Sequence, residues 1–238
     1  MRKFITAITA MLVAFGVSAQ ETNFCGETKF DSIHSNEVVA YAQVGTNTVS
    51  GFYMGATGLY TRHFNDKWSV EGGANLQMKK NLVGLSARGI YHFTWTKHSD
   101  FFASGKLLFN SYTKYHANEY IGNLSLNWQT SYFDMTLGGS LIHWTSMGSG
   151  YTEPITLTFG IGANIRRRSN PWNIGLFFRN YDDFYYENWN INWGVRFYAP
   201  LPHKLKLFGE LNVRPAGSMS QLATRYETHI KLGIKHVW

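Results

Sequence analysis

One cysteine, 5 prolines and a charged share of only 16% are what this 238-residue sequence has little of. A lone Cys25 rules out an internal disulfide, so stability has to come from packing and hydrogen bonding. Sparse charge argues against a disordered chain, and scarce proline beside 16% aromatic residues points to sheet. No stretch reaches the roughly 20 consecutive apolar residues that a membrane-spanning helix needs. Linkers, low-complexity tracts and helical periodicity are missing as well. Gly160-Ile161-Gly162 lacks the third glycine of a dinucleotide fingerprint and lies in a strand pattern. The 9 histidines have no metal-ligand spacing, and Asp182-Asp183 reads as a solvated loop rather than a calcium site. No cofactor and no metal is implied.

The N-terminal stretch has the order of a secretory signal peptide. Arg2 and Lys3 precede an apolar run over residues 4–17, and Val17-Ser18-Ala19 forms a small-residue exit. Cleavage is predicted after residue 19, near Gln20. Cys25 follows closely, but Thr22-Asn23-Phe24 lack the leucine and small residue of a lipid-anchor signal. The formal charge of +7 falls by two, to +5, when Arg2 and Lys3 leave. An exported chain rarely meets nucleic acid, and its basic residues cluster only at Arg166-Arg167-Arg168, so no nucleic-acid partner is expected.

What the sequence has in abundance is alternation. Apolar and polar residues exchange at period two over residues 37–46, 51–64, 67–78, 82–95, 100–114, 119–130, 133–145, 154–167, 172–181, 188–198, 204–214 and 221–238. These runs are longer than the usual 5 or 6 residues and suit tilted strands crossing a bilayer. Turn chemistry separates them, as at Asn65-Asp66, Lys80-Asn81, Ser169-Asn170-Pro171 and Pro215-Ala216-Gly217. The organisation predicted is a signal peptide (1–19), a short periplasmic segment (20–36) and one all-β domain, a closed antiparallel transmembrane barrel of about 12 strands with short turns and loops (37–238).

Period two by itself allows a soluble sandwich, with the apolar face inside. Aromatics at the strand ends favour apolar outside: Trp68, Trp95, Trp172, Tyr198 and Trp238 at one end, and Tyr112, Tyr115, Tyr120, Trp144, Tyr151, Tyr181, Tyr185, Tyr186 and Trp189 at the other. Two such belts are what two membrane interfaces ask for. A sheet in hydrocarbon must also close, because no edge amide can stay unpaired there. The last strand, "THIKLGIKHVW", sets Ile230, Leu232 and Ile234 on one face and finishes on Trp238. With Tyr226 added, this resembles the C-terminal signature of bacterial outer-membrane β-barrel proteins, although His236 stands where an aliphatic is usual. The resemblance implies N and C termini on the periplasmic side, outer-membrane lipid as surroundings and the barrel-assembly machinery as a transient partner.

On this register the inward, lumen-lining positions include Glu71, Arg88, His92, Lys106, Arg166, Arg179, Arg196, Lys204, Lys206, Glu210, Arg214, Arg225, Glu227, His229, Lys231 and Lys235. Bases exceed acids in that set, which implies a water-filled bore favouring small anionic or polar solutes; the alternative is a structural barrel closed by ion pairs. The open version resembles small 12-stranded channels that pass acidic oligosaccharides. The loops at residues 146–153 and 182–187 are short, so no inward-folding constriction is expected. A third reading is a membrane-embedded lipid hydrolase. The outer-membrane phospholipase and the lipid A deacylase carry a His-x-Ser pair on a strand, and the nearest match here is His143-Trp144-Thr145 with Glu153 close by, Thr replacing the nucleophilic Ser.

Overall fold

The computed structural model describes residues 36–47, 51–78, 82–96, 99–130, 132–165, 172–186, 191–214 and 227–238. The predicted signal peptide, Arg166, Arg225, Tyr226 and Trp189 lie outside them, as does all of the short N-terminal segment except Asn36. Twelve strands form the wall: β1 (Asn36–Asn47), β2 (Gly51–His63), β3 (Trp68–Gln77), β4 (Leu82–Trp95), β5 (Ser99–Tyr112), β6 (Ala117–Thr130), β7 (Phe133–Ser146), β9 (Thr156–Asn164), β10 (Asn173–Arg179), β13 (Asn192–Pro200), β14 (Leu205–Arg214) and β15 (Glu227–Val237). A short β8 (Ser149–Thr152) prolongs the β7 ribbon beyond the wall, and β11 (Tyr181–Asp182) with β12 (Tyr185–Tyr186) makes a separate hairpin.

Each wall strand pairs antiparallel with its neighbour in sequence, and β1 closes the ring against β15 from Glu37↔Val237 to Asn47↔Glu227. Closure removes both edges of the sheet. At the seam, the Asn36 and Trp238 main chains exchange two hydrogen bonds of 2.7 and 3.0 Å. A strand of 14 residues such as β5 is about 48 Å long, or about 36 Å along the barrel axis at a usual tilt, enough to cross a roughly 25 Å apolar band. Among the described residues no helix is long and apolar enough to cross a membrane.

Burial settles which face is which. Leu124 is 75% exposed and Leu107 68%, whereas the in-phase polar residues Ser140 and Lys231 are 1% and 2% exposed. Apolar side chains point out all round the ring and polar ones fill the inside, the reverse of a soluble sandwich. That outer surface is compatible with hydrocarbon and not with water.

The aromatic ends divide differently from the expectation. Trp68 against Tyr91 (4.8 Å), Trp128 against Phe133 (5.0 Å) and Tyr60 against Trp238 (6.3 Å) ring the end that carries the described termini, Asn36 and Trp238. At the far end Tyr120 and Tyr151 are exposed, but Tyr112 and Trp144 fall on inward positions, their rings in tilted contact at 5.6 Å. Tyr181, Tyr185 and Tyr186, expected in that belt, belong to the hairpin, which turns into the bore.

Candidate functional site

The β11–β12 hairpin occupies the bore at the end away from the termini. The expectation that no loop folds inward is therefore corrected. A reach of three residues out and three back, about 10 Å, suffices when bulky side chains extend it. Phe184 and Tyr186 pack with Leu108, Ile121 and Ile142, three apolar residues at inward positions of β5, β6 and β7. Gly84 makes room for this packing, since a Cβ there would stand 2.8 Å from the Phe184 ring and 2.7 Å from Asn110 Oδ1. Gly160 clears Tyr181 in the same way, at 3.0 Å.

Polar contacts tie the hairpin to strands all round the ring. Lys106 Nζ and Asn110 Nδ2 donate to the main-chain oxygens of Asp183 (2.7 Å) and Phe184 (2.9 Å). Tyr41 Oη donates to Asp183 Oδ2 at 2.6 Å, Tyr181 Oη to Thr136 Oγ1 at 2.8 Å, and Asn192 Nδ2 to Tyr185 Oη at 2.7 Å. Lys231 Nζ lies 2.5 Å from Asp182 Oδ1 and 3.4 Å from both Asp183 Oδ2 and Glu210 Oε1. Arg179 bridges Glu210 (2.7 Å) and Asp182 (3.2 Å). The Asp182-Asp183 pair, expected in a solvated loop, thus lies inside the barrel with Asp182 buried. Burying these charges is tolerable because each meets its opposite and further hydrogen bonds.

Nearer the termini the inward chemistry is a buried relay. Asp100 Oδ1 lies 2.8 Å from His92 Nδ1, Ser69 Oγ 3.2 Å from His92 Nε2, and Ser69 Oγ 2.6 Å from His63 Nδ1. The order Asp-His-Ser has the connectivity of a hydrolytic triad, but Ser69 has no exposed surface and its hydroxyl is shared between two imidazoles. No substrate carbonyl can reach such an oxygen, so this is a structural chain. At the same end Arg196 pairs with Asp134, and Lys235 with Glu37 at 2.7 Å. Towards the other end Arg214 meets Glu227 at 3.1 Å, Glu227 also accepts from Tyr53 Oη, and the Arg214 guanidinium covers the Tyr185 ring at 4.4 Å.

Of the positions singled out in the sequence, Glu71 and Arg88 face each other across β3 and β4; Glu71 accepts from Thr61 at 3.4 Å and Arg88 donates to Ser104 at 2.9 Å. Arg179, Glu210, His229 and Lys231 come together around Asp182, with Lys106 on the opposite wall. Lys206 sits beside Lys235 in the β14–β15 ladder. Lys204 differs from the expectation: it lies in the turn before β14 with φ of 58°, not on a strand. On the last strand Ile230 and Leu232 point outward and exposed, Ile234 is half-buried, and the Trp238 ring stacks on Tyr60 and on His236 (5.1 Å).

The sequence reading missed inward acids. Glu37, Asp100, Glu119 and Asp134 stand in phase with inward neighbours, so the period-two rule reaches them; Asp182 and Asp183 are beyond it because they leave the strand. With these six added to Glu71, Glu210 and Glu227, nine inward acids face eight inward bases among the described residues. Among the described residues the surplus of bases read from the sequence is therefore not seen, while Arg166 and Arg225, which it included, lie outside them.

Asp182, Glu210 and His229 offer three ligand atoms within 4.8 Å of one another. The Lys231 ammonium already supplies the cation there, and a metal ion would have to displace it. The hydrolase constellation is not assembled: His143 Nδ1 lies 2.8 Å from Thr152 Oγ1, and Glu153 accepts from Trp144 Nε1 at 3.0 Å rather than orienting His143.

No protein-family model matches the sequence, and no match is found among curated proteins. Solved structures do match. An outer membrane channel from Pseudomonas putida F1 superposes with a TM-score of 0.55 at 14% identity, over 92% of this chain and 100% of that one. The KdgM porin in complex with disordered oligogalacturonate gives 0.54 at 13%, over 84% and 98%. The NanC porin gives 0.53 at 10%, over 82% and 98%. At these identities the likeness is one of architecture: the chain has the fold of outer-membrane β-barrel channels.

Proposed function

We propose that this chain is a small outer-membrane channel for polar solutes, exported by its signal peptide, inserted by the barrel-assembly machinery with both termini periplasmic, and held narrow on the outer side by the β11–β12 hairpin. The observation that carries this reading is the sorting of faces: a closed twelve-stranded ring, apolar towards its surroundings and polar within. A preference for small anions follows at one level only. Around the hairpin the wall presents Lys106, Arg179 and Lys231 against Glu210, a surplus that Asp182 and Asp183 offset while the hairpin is seated and that faces solutes when it withdraws, and cationic side chains at a constriction lower the barrier for negative solutes. The fold's occurrence in porins supports a conducting role.

The ion pairs that hold the hairpin across the bore favour a second reading, a structural barrel closed at that level. Conductance in a planar bilayer separates the two, with ion preference read from the reversal potential in a salt gradient. A channel gives discrete steps with a potential shifted towards anions, and larger steps when residues 182–185 are replaced by two glycines. Silence of both proteins leaves the structural barrel, and a cation-selective pore overturns the anion preference.

A further inference from the structure

The wall around the hairpin is built like a receptor for carboxylates, and the hairpin fills it with its own. Directly about Asp182 and Asp183, Lys106, Arg179 and Lys231 stand against Glu210, which leaves two positive charges over; Glu71 faces Arg88 across β3 and β4, and Glu119 is held beside Phe184 by Asn110 and Tyr112. Asp182 and Asp183 supply the two negative charges that balance the cradle, and Tyr41 adds a hydroxyl donor to Asp183. Donors remain after the hairpin has bound. His229 is 2% exposed, and neither of its ring nitrogens makes a hydrogen bond, although Asp182 Oδ2 lies 3.6 Å from one and Glu227 Oε1 3.8 Å from the other. Arg179 Nε is likewise unbonded.

The attachment also suits exchange. β11 and β12 pair only with each other, through Tyr181↔Tyr186 and Asp182↔Tyr185, and form no ladder with the wall. The hairpin is held by side chains, so it can leave without opening the barrel's backbone hydrogen bonds.

We infer that the cradle of Lys106, Arg179, Lys231 and His229 is a binding site for solutes carrying adjacent carboxylates, that Asp182 and Asp183 occupy it as an internal stand-in, and that such a solute displaces the hairpin. Lys231 and Arg179 aim at the carboxylate oxygens and Lys106 at the Asp183 main-chain oxygen, and ammonium and guanidinium groups so placed recognise carboxylates through charge-assisted bonds that a neutral solute cannot make. Because the hairpin is tethered, it competes at an effective concentration on the order of millimolar or more. A solute with several carboxylates therefore outcompetes one with a single group. Apparent affinity is lowered by the small fraction of molecules whose cradle is empty, so disabling the stand-in raises it.

Opening of the pore rests on the channel reading; binding does not. The probe is acetyl-Asp-Asp-amide, with acetyl-Asn-Asn-amide as control, titrated calorimetrically into the folded full-length protein in detergent. Asp182→Asn combined with Asp183→Asn is expected to bind the acidic probe at least tenfold tighter than wild type, and adding Lys231→Met to that pair abolishes binding. Phe184→Ala keeps every charge but removes the apolar anchor, and also tightens binding. Folding of each variant is checked by the heat-dependent gel mobility of barrels. Equal affinity in wild type, the double variant and Phe184→Ala, or equal binding of the two probes, overturns the inference. In a planar bilayer the acidic probe is expected to raise wild-type current to the level of the double variant. Competitive binding with no current in any variant sinks the channel reading and leaves the cradle standing.

Discussion

Leu232→Arg tests the assignment of faces at the most demanding position. Leu232 is the middle residue of β15, points outward and is 53% exposed. Five residues separate it from each strand end, which at a usual tilt is about 13 Å along the barrel axis, half of a roughly 25 Å apolar band. A guanidinium there meets the bilayer midplane, and the expected loss of stability is about 2 to 4 kcal/mol. Were the outer face bathed in water, the same substitution would fall within about 0.5 kcal/mol of neutral. Ile155→Arg supplies the depth control. Ile155 is 79% exposed in the connection between β8 and β9, at the rim, where an arginine costs about 0 to 1 kcal/mol. The assay is urea unfolding from short-chain phosphatidylcholine vesicles, followed by tryptophan fluorescence. Equal costs at the two sites, or no cost at Leu232, would refute the reasoning, because no arrangement that buries this face in lipid makes midplane and rim equivalent.

Gly194→Ala should cost about 1 to 3 kcal/mol in the same assay, since its Cβ would stand 1.9 Å from the Leu211 carbonyl oxygen, whereas Gly89→Ala, with nothing within 4 Å, should stay within about 0.5 kcal/mol of wild type. Asp100→Leu removes the acceptor from His92 Nδ1 and should lower stability by about 1 to 3 kcal/mol; an unchanged urea midpoint would show that the Asp100-His92-Ser69-His63 chain contributes nothing. Trp238→Ala keeps both main-chain bonds to Asn36 but loses the stacking on Tyr60 and His236, about 1 to 3 kcal/mol, too little to prevent refolding in detergent. A several-fold fall in membrane-inserted protein in cells is the mark of an assembly signal, and unchanged cellular levels would reduce Trp238 to an interface anchor.

The wall was legible because each strand carries enough in-phase residues to outvote local noise. In β13, Trp193, Val195 and Phe197 against Asn192 and Arg196 leave a single possible sorting, and β15 repeats it with Ile230 and Leu232 against His229 and Lys231. Strand ends were less legible. The eighth run, read from residue 154, starts in the wall only at Thr156, because Ser149–Thr152 first pairs with β7 as a ribbon beyond it. Lys204 fell to a turn since Pro200-Leu201-Pro202 marks where a turn begins but not where it ends. Which face met lipid could not be read from period two, as both solutions alternate identically; ring closure and the burial of Lys231 beneath exposed neighbours distinguish them.

The hairpin escaped for a different reason. Tyr181 to Tyr186 has no period, and nothing local tells a short loop which way to turn. The direction is set by partners far away in sequence: Lys231 is 49 residues from Asp182, Lys106 is 77 from Asp183, and Tyr41 is 142 from Asp183. Yet its shadow lies on the strands. Leu108, Ile121 and Ile142 are apolar at positions whose phase points inward, which makes no sense against water and good sense against Phe184. Gly84 is absent mass at the same spot. Most of all, an inward set with so many more bases than acids cannot be left unbalanced in a narrow bore. Counter-charges had to come either from missed in-phase acids such as Glu37 and Asp134 or from a segment off the wall, and the one acidic pair in a connection at the far end from the termini is Asp182-Asp183. An excess of like charge on one face of a closed sheet therefore points to its own remedy: the nearest loop of opposite sign is the one that folds in.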